Sequence, residues 1–248
     1  MEAYTDFAAI YDRFMEDTPY DEWCAVILEK LKKYGISDGL VCELGAGTGE
    51  MTRRLSACGF DMIGIDNSED MLMVAKGKET SDSTILYLCQ DMREFELYGT
   101  VKAVVSVCDC VNYVLEDMEM IDTFKLVNNY LDPKGIFIFD FNTVYKYKEV
   151  IGESTIAEAD EDESFIWENF YDEDTDINQY DITFFVREGE LFRRFTETHL
   201  QRGYTLTEMK RFIKTAGLKF LEAFDADTMK EPTDESERIV VLAMEQGK

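Results

Sequence analysis

From residue 40 onward the chain alternates short aliphatic or β-branched runs with longer stretches whose apolar residues recur at helical spacing. That is the pattern of βαβ units around a mainly parallel sheet. Leu40–Leu44, Met62–Ile65, Ile85–Leu88, Val101–Val107 and Ile136–Phe139 are predicted strands. Met51–Cys58, Glu69–Lys76 and Met118–Leu131 are predicted helices, the last stopped by a turn at Asp132-Pro133-Lys134-Gly135. One or two helices precede residue 40, the clearer being Tyr20–Tyr34, closed by Gly35.

Past Asn142 the rhythm breaks. Ile151–Val186 holds twelve acidic residues and no Lys or Arg, and its ends alternate apolar and polar positions. Phe165–Tyr171 and Asn178–Val186 read as an antiparallel hairpin around the turn Asp172–Asp176, and Leu191–Gln201 follows as a further strand after Gly189. Residues 143–200 are therefore expected to form a β-rich insertion, with 1–142 and 201–248 as the main core. The α/β rhythm resumes at Thr205, whose spacing to Glu208 makes a capping box for a helix running to about Ala216, where Gly217 closes it. Lys219–Phe224 and Arg238–Met244 are the closing strands.

With 248 residues, 46% hydrophobic and 31% charged, three Pro and 15 Gly, the chain is that of a globular protein of one domain, or one domain carrying an insertion. Charge narrows the partners. Fifty-two Asp and Glu against 25 Lys and Arg leave a net charge of −27, with no basic run longer than Lys30–Lys33, which opposes binding to a phosphate backbone. No nucleic-acid or membrane partner is expected, and Met1–Asp6 lacks the basic and apolar segments of a secretion signal, so a cytoplasmic location is expected. The six cysteines then read as reduced thiols. Cys108-Asp109-Cys110 has no second pair or neighbouring His to complete a ligand set, so no metal is expected.

The sharpest chemical signal is Glu43-Leu44-Gly45-Ala46-Gly47-Thr48-Gly49, between a predicted strand and a predicted helix. Glycines there permit positive φ and let a ligand lie against amide N–H groups at a helix N-terminus. Twenty-one residues after Gly45, Asp66 ends the second strand, where its carboxylate can accept from both ribose hydroxyls of an adenosine. The glycine pattern is G-x-G-x-G, and Glu43 precedes it by two. An acid at that point repels a pyrophosphate and favours a ligand bearing an amine or a sulfonium, hence S-adenosylmethionine over NAD.

On these residues the chain resembles the class I S-adenosylmethionine-dependent methyltransferases, and within them the small-molecule branch that includes glycine N-methyltransferase-like proteins. The resemblance covers nearly the whole chain. It implies an α/β, Rossmann-like seven-stranded, mainly parallel sheet with its last strand reversed, plus an antiparallel β lid after the fifth strand. It further implies that Glu43, Gly45, Ala46 and Gly47 carry the methionine end, that Asp66 and the adjoining Asn67 serve the ribose, and that Asp91 and Met92, after the third strand, contact the adenine. Met71 either joins that pocket or packs the core, and Ser68 reads as a helix N-cap. Tyr11 and Trp23, in leading helices that resemble the family's, either cover the cofactor or pack on the core.

Methyl transfer from a sulfonium is a direct displacement, so no metal and no covalent intermediate are needed, and positioning supplies most of the rate. After the fourth strand, Cys108, Asp109, Asn112 and Tyr113 stand where the family faces the methyl group. Asp109 and Asn112 either orient the acceptor, Asp109 also as a base, or cap the loop. The segment is not (N/D)-P-P-(Y/F), which lowers a role on nucleic-acid bases. His199, the only histidine, shares a strand face with Glu197 and Gln201 and either takes a proton or is structural. Arg202 is placed to pair with an acceptor carboxylate, and Trp167 and Tyr171 are the insertion's candidate substrate contacts. The acidic run Glu158–Glu163 is either a solvated loop or a device steering a cation.

The function expected is methyl transfer to N or O of a small molecule, possibly an amine, yielding S-adenosylhomocysteine, by a monomer or homodimer. A module that senses the cofactor without chemistry and a nicotinamide-dependent oxidoreductase are the alternatives.

Overall fold

The computed structural model describes residues 8, 10–80 and 84–248. The Met1–Asp6 segment read for a secretion signal lies outside them. Eleven strands are sorted into two sheets among the described residues. The larger contains β1 (Gly39–Leu44), β2 (Phe60–Asp66), β3 (Leu86–Cys89), β4 (Val101–Ser106), β5 (Leu131–Asn142), β10 (Lys219–Asp225) and β11 (Arg238–Met244). Its order is β10-β11-β5-β4-β1-β2-β3. β11 runs antiparallel to both neighbours, while β5-β4-β1-β2-β3 pair in parallel, as expected for a reversed last strand.

The parallel strands are nearly continuous aliphatic runs because both faces are covered. One face packs Phe124, Phe137, Phe139 and Phe212 with α5 (Asp117–Tyr130) and α6 (Leu206–Thr215). On the other, Leu31, Val41, Met51 and Ile138 meet α2 (Tyr20–Lys33) and α3 (Glu50–Ala57). Thr205 caps α6 in the expected box: its hydroxyl accepts from Glu208 N–H at 3.2 Å, and the Glu208 carboxylate accepts from Thr205 N–H at 2.8 Å. Ser68 likewise caps α4 (Glu69–Gly77), accepting from Met71 N–H.

Two local expectations need correction. Asp132–Gly135 is not a free turn but a bulge inside β5, with Lys134 at φ +66° and the register against β4 breaking between Val101 and Ala103. Leu131 already pairs with Val101, so the chain returns to the sheet before the Pro-Gly segment rather than after it. The stretch read as an acidic loop also begins with a strand, β6 (Thr155–Ala159), exposed along its length. Hydrogen bonding to β7 (Glu163–Asp172) forms it, a pairing that charge composition conceals.

The second sheet has the order β6-β7-β8-β9, all antiparallel, with β8 (Ile177–Glu188) and β9 (Leu191–Arg202) paired over their full length. Its inner face follows the period-2 rule: Asn178, Tyr180, Ile182, Phe184 and Val186 are buried, as are Glu197, His199 and Gln201. The chain leaves and rejoins the main sheet at one place, where Thr143 and Tyr204 bridge in parallel. Gly203 passes there so close to Val144 that an added Cβ would stand 3.0 Å from its Cα. The short α1 (Tyr11–Phe14) spans both sheets. Asp12 accepts from Thr48 and Lys78 on the core side, both at 2.5 Å, while Phe14 packs edge-on against Phe184 and Arg13 pairs with Glu163 on β7.

Candidate active site

The ends of β1, β2 and β4, the roof α1 and the inner face of the four-stranded sheet enclose one cavity of about 1230 Å³. That exceeds the few hundred to about 1000 Å³ of a typical single-ligand pocket, so two small molecules fit side by side. Every residue expected at the cofactor lines it: Tyr11, Trp23, Glu43, Gly45, Ala46, Gly47, Asp66, Asn67, Met71, Asp91, Met92, Cys108 and Asp109.

At one end the loop after β1 turns sharply, with Gly45, Gly47 and Gly49 all at positive φ. Gly45 has a second reason to be glycine, since a Cβ would stand 2.3 Å from Cys110 Sγ. Four of the loop amides, expected to be open to a ligand, are already bonded within the protein. Gly45 and Ala46 donate to the Ile65 carbonyl (2.8 and 2.9 Å), Gly49 to the Ala46 carbonyl (2.8 Å) and Gly47 to Asp66 (2.7 Å). A pyrophosphate would find these donors already used.

Asp66 also accepts from Ser68 N–H at 2.9 Å. The Asn67 backbone adds a further bond, and a carboxylate offers about four acceptor sites, so capacity remains for a ribose hydroxyl. Glu43, only 2% exposed, accepts from the Thr52 hydroxyl. Burial pushes its carboxyl up to about 8, against the Thr52 hydrogen bond and with the Asp66 charge adding to the rise. A protonated Glu43 repels a pyrophosphate weakly, so the spent amides, more than the acid's charge, oppose a dinucleotide here. A cation beside Glu43 would favour its ionised form. The glycine turn, the strand-end Asp66 and the buried acid together fit the adenosine and amino-acid ends of S-adenosylmethionine. Asp91 is held in a fork by Arg93, at 2.6 Å from Nη2, which holds its carboxyl below the usual range.

At the other end lies the turn after β4. Cys108 and Asp109 both take positive φ (60° and 51°), and their N–H groups donate to the two oxygens of Asp140 at 3.1 and 2.7 Å. Left-handed backbone at non-glycine residues costs on the order of 1–3 kcal/mol each, offset here by a buried carboxylate that grips both amides. Arg238, from β11, binds Asp109 at 2.6 Å and Asp140 at 3.5 Å, with its guanidinium over the Trp23 ring. Gln201 donates to the other oxygen of Asp109 at 2.7 Å. Each Asp109 oxygen thus carries one hydrogen bond, and one of the two comes from a guanidinium.

Tyr113 is differently placed. Its hydroxyl lies 3.1 Å from His199 Nδ1 and 3.0 Å from the Tyr180 hydroxyl, and His199 Nε2 faces Glu197 at 3.4 Å. Trp167 and Tyr180 stack beside this group, with ring centroids 5.1 Å apart. Tyr113, Trp167 and His199 thus meet in the cavity.

Three expected substrate contacts do not line this cavity. Asn112 is fully buried beneath it, donating to the Asn142 and Arg202 carbonyls and accepting from Asn142 N–H, because it pins the end of β5. Arg202 is spent on Asp117 and Glu208 at 2.8 and 3.2 Å. Tyr171 lies on a shallow outer depression and donates to Asp176 at 2.6 Å. None of the acids from Glu158 to Glu163 lines the cavity. Sequence reasoning passed over Tyr147, Tyr180, Phe184, Lys146 and Arg238. The alternation of β8 marks Tyr180 and Phe184 as inward; nothing local marks Lys146 or Arg238, whose positions depend on strand order. All six cysteines are free, and no cluster of three metal-ligating side chains occurs among the described residues.

Known proteins share these features. Residues 41–135 match a methyltransferase domain family. A protein of Bacillus subtilis (strain 168) named as a methyltransferase, YqeM, is 40% identical over 97% of this chain and 96% of its own. An S-adenosylmethionine-dependent methyltransferase from Clostridium acetobutylicum superposes with a TM-score of 0.89 at 30% identity, covering 98% of this chain and 99% of that one. A Micromonospora echinaspora amino pentose methyltransferase, solved with S-adenosylmethionine bound, shares the fold at a TM-score of 0.76 and 16% identity, over 99% of both chains. With a whole-length relative at 40% identity and the reversed last strand beside the glycine loop, this chain belongs to the class I S-adenosylmethionine-dependent methyltransferases.

Proposed function

We propose that this enzyme methylates N or O of a small molecule held under the four-stranded sheet, with the cofactor against the glycine loop. When bound, S-adenosylmethionine supplies the electrophilic methyl group. The observation that carries the reading is the Glu197–His199–Tyr113–Tyr180 cluster on an aromatic wall of the same cavity. In this reading Glu43, Gly45, Ala46 and Gly47 hold the methionine end, Asp66 and Asn67 the ribose, and Asp91 and Met92 the adenine, with Met71 and Tyr11 closing the pocket. Residues 143–200 act as the lid, and α1, tied to both parts, excludes water over the reacting atoms.

A nucleophile gives up a proton as it is methylated. Tyr113 takes the acceptor's hydrogen bond and passes the proton to His199 Nδ1, and Glu197 keeps the other ring proton on Nε2 and stabilises the imidazolium. Asp109, paired with the Arg238 guanidinium and bonded by Gln201, serves in this reading as an anchor for both, and the proton goes to the uncharged Tyr113–His199 pair. An amine is the first acceptor to test, because the fold neighbours include an amino pentose methyltransferase.

The test is S-adenosylhomocysteine release from purified protein across panels of amines and hydroxyl compounds, alongside calorimetric binding of S-adenosylmethionine. His199→Ala and Tyr113→Phe should each lower kcat by about 100-fold or more, the usual scale of general-base loss, with cofactor affinity unchanged. Undiminished turnover in both variants would remove the cluster from the chemistry. Cofactor binding without release on any panel would favour the sensing alternative.

A further inference from the structure

Lys146 opens the one-turn π-helix Lys146–Ile151 that follows β5, and it lines the cavity at the end away from the glycine loop. Its ammonium donates to Asn142 Oδ1 at 3.1 Å, a neutral oxygen. Among the described residues no carboxylate lies within ion-pair distance of it, in a chain with twice as many acids as bases. An ammonium carries three donors, and only one has a protein acceptor among the described residues. Burial, with Arg238 close by, holds this ammonium below the usual lysine range, against the opposing charges of Asp109, Glu237 and Asp140.

The surroundings fix this orientation. Asn142 Nδ2 donates to the Tyr147 hydroxyl (3.0 Å), Tyr147 donates to Gln201 Oε1 (2.6 Å) and Gln201 donates to Asp109 (2.7 Å), which Arg238 closes from the far side. The chain of donors runs from Lys146 toward Asp109, and the Asn142 Nδ2 bond to Tyr147 keeps the amide oxygen turned to the lysine. Arg238 is already matched by Asp109 and Asp140. Lys146 is thus the cation at this end whose charge is unmatched at close range.

We infer that Lys146 is an oxyanion-recognition site and that the methyl acceptor carries a carboxylate, which Lys146 holds while the nucleophile lies against Tyr113 and His199. A singly charged group is favoured over a phosphate dianion, because Asp109 and Asp140 flank the site and would repel the second charge. Lys146, Tyr113 and His199 line the same cavity, so one acceptor can meet all three. This inference rests on the division of the cavity proposed above.

The probes are benzoate, benzamide and phenyl phosphate, which fit an aromatic-walled cavity and differ at the head group. Each is titrated by calorimetry into the S-adenosylhomocysteine complex of the wild-type protein, of Lys146→Met and of Lys146→Arg. Benzoate should bind at least about 10-fold tighter than benzamide, the scale of hydrogen bonds to a charged group. Lys146→Met should erase that difference, Lys146→Arg should keep part of it, and both should leave S-adenosylhomocysteine affinity unchanged. Benzoate binding no tighter than benzamide, or a preference that survives Lys146→Met, would overturn the proposal. Tighter binding of phenyl phosphate would overturn the choice of carboxylate. Benzoate that displaces S-adenosylhomocysteine would sink the division of the cavity instead, which separates that failure from this one.

Discussion

Individual side chains in this cavity do work that their sequence neighbours do not reveal. Glu43 is a strand residue placed where burial raises its carboxyl to about 8, so in the free protein it keeps its proton at neutral pH. If the cationic end of S-adenosylmethionine lies beside it, binding favours the ionised form and must release a proton. The sign follows: below pH 8 release is expected, affinity rises as pH approaches 8, and the release vanishes above that value. Calorimetry at pH 7 in two buffers of different ionisation enthalpy measures it. Glu43→Gln should abolish it, and no release from the wild type would place Glu43 outside the cation's reach. Asp109 was read as an acceptor-orienting group, a base or a loop cap, and it is found bonded to Arg238 and Gln201 in a turn whose amides Asp140 holds.

Among the elements, those stabilised locally were the ones legible in advance. The capping box at Thr205 was readable because both partners lie within four residues. Thr205→Ala should lower stability by about 1 kcal/mol, seen as a lower denaturation midpoint, while kinetic constants stay unchanged because α6 packs on the sheet face of Phe124 and Phe212, away from the cavity. A large kinetic effect would mean that α6 positions the lid through Tyr204. The β7–β8 hairpin was visible for the same reason, its turn being rich in Asp. β6 was not, since an exposed acidic strand has no intrinsic preference and exists by pairing with β7. Nor was the return of β5 to the sheet ahead of its Pro-Gly bulge, which the register with β4 decides.

On the scale of the whole molecule, the net charge of −27 acts mainly as self-repulsion within the compact state. Exposed acids such as Asp38 and Glu173 have single lysine partners, at 2.6 and 2.5 Å, and such surface pairs contribute little. Added salt shortens the range of repulsion, so the thermal midpoint should rise between 20 and 300 mM sodium chloride, by about 2–4 °C for each kcal/mol relieved. Scanning calorimetry at fixed pH checks this. A midpoint that falls would mean that the ion pairs outweigh the repulsion.

Periodicity and glycine spacing were sufficient for the α/β class, the strand-loop-helix around Gly45 and Asp66 and the hairpin of the insertion, because each rests on contacts within one or two neighbouring elements. Asp91, Met92, Tyr11 and Trp23 came from the family resemblance instead, and they line the same cavity as the glycine loop and Asp66, which stand at the C-terminal ends of parallel strands. The acceptor side needed strand order. Arg238 reaches Asp109 only because β11 inserts beside β5, and Lys146 meets Asn142 and Tyr147 only where β5 ends under the second sheet. Arg202 and Tyr171 looked equally suitable as contacts, but Arg202, three positions past His199, points to the opposite face of β9, and Tyr171 lies at the hairpin end of β7, where Asp176 takes its hydroxyl. Contacts of that range are set by how the two sheets stack, which local pattern does not encode.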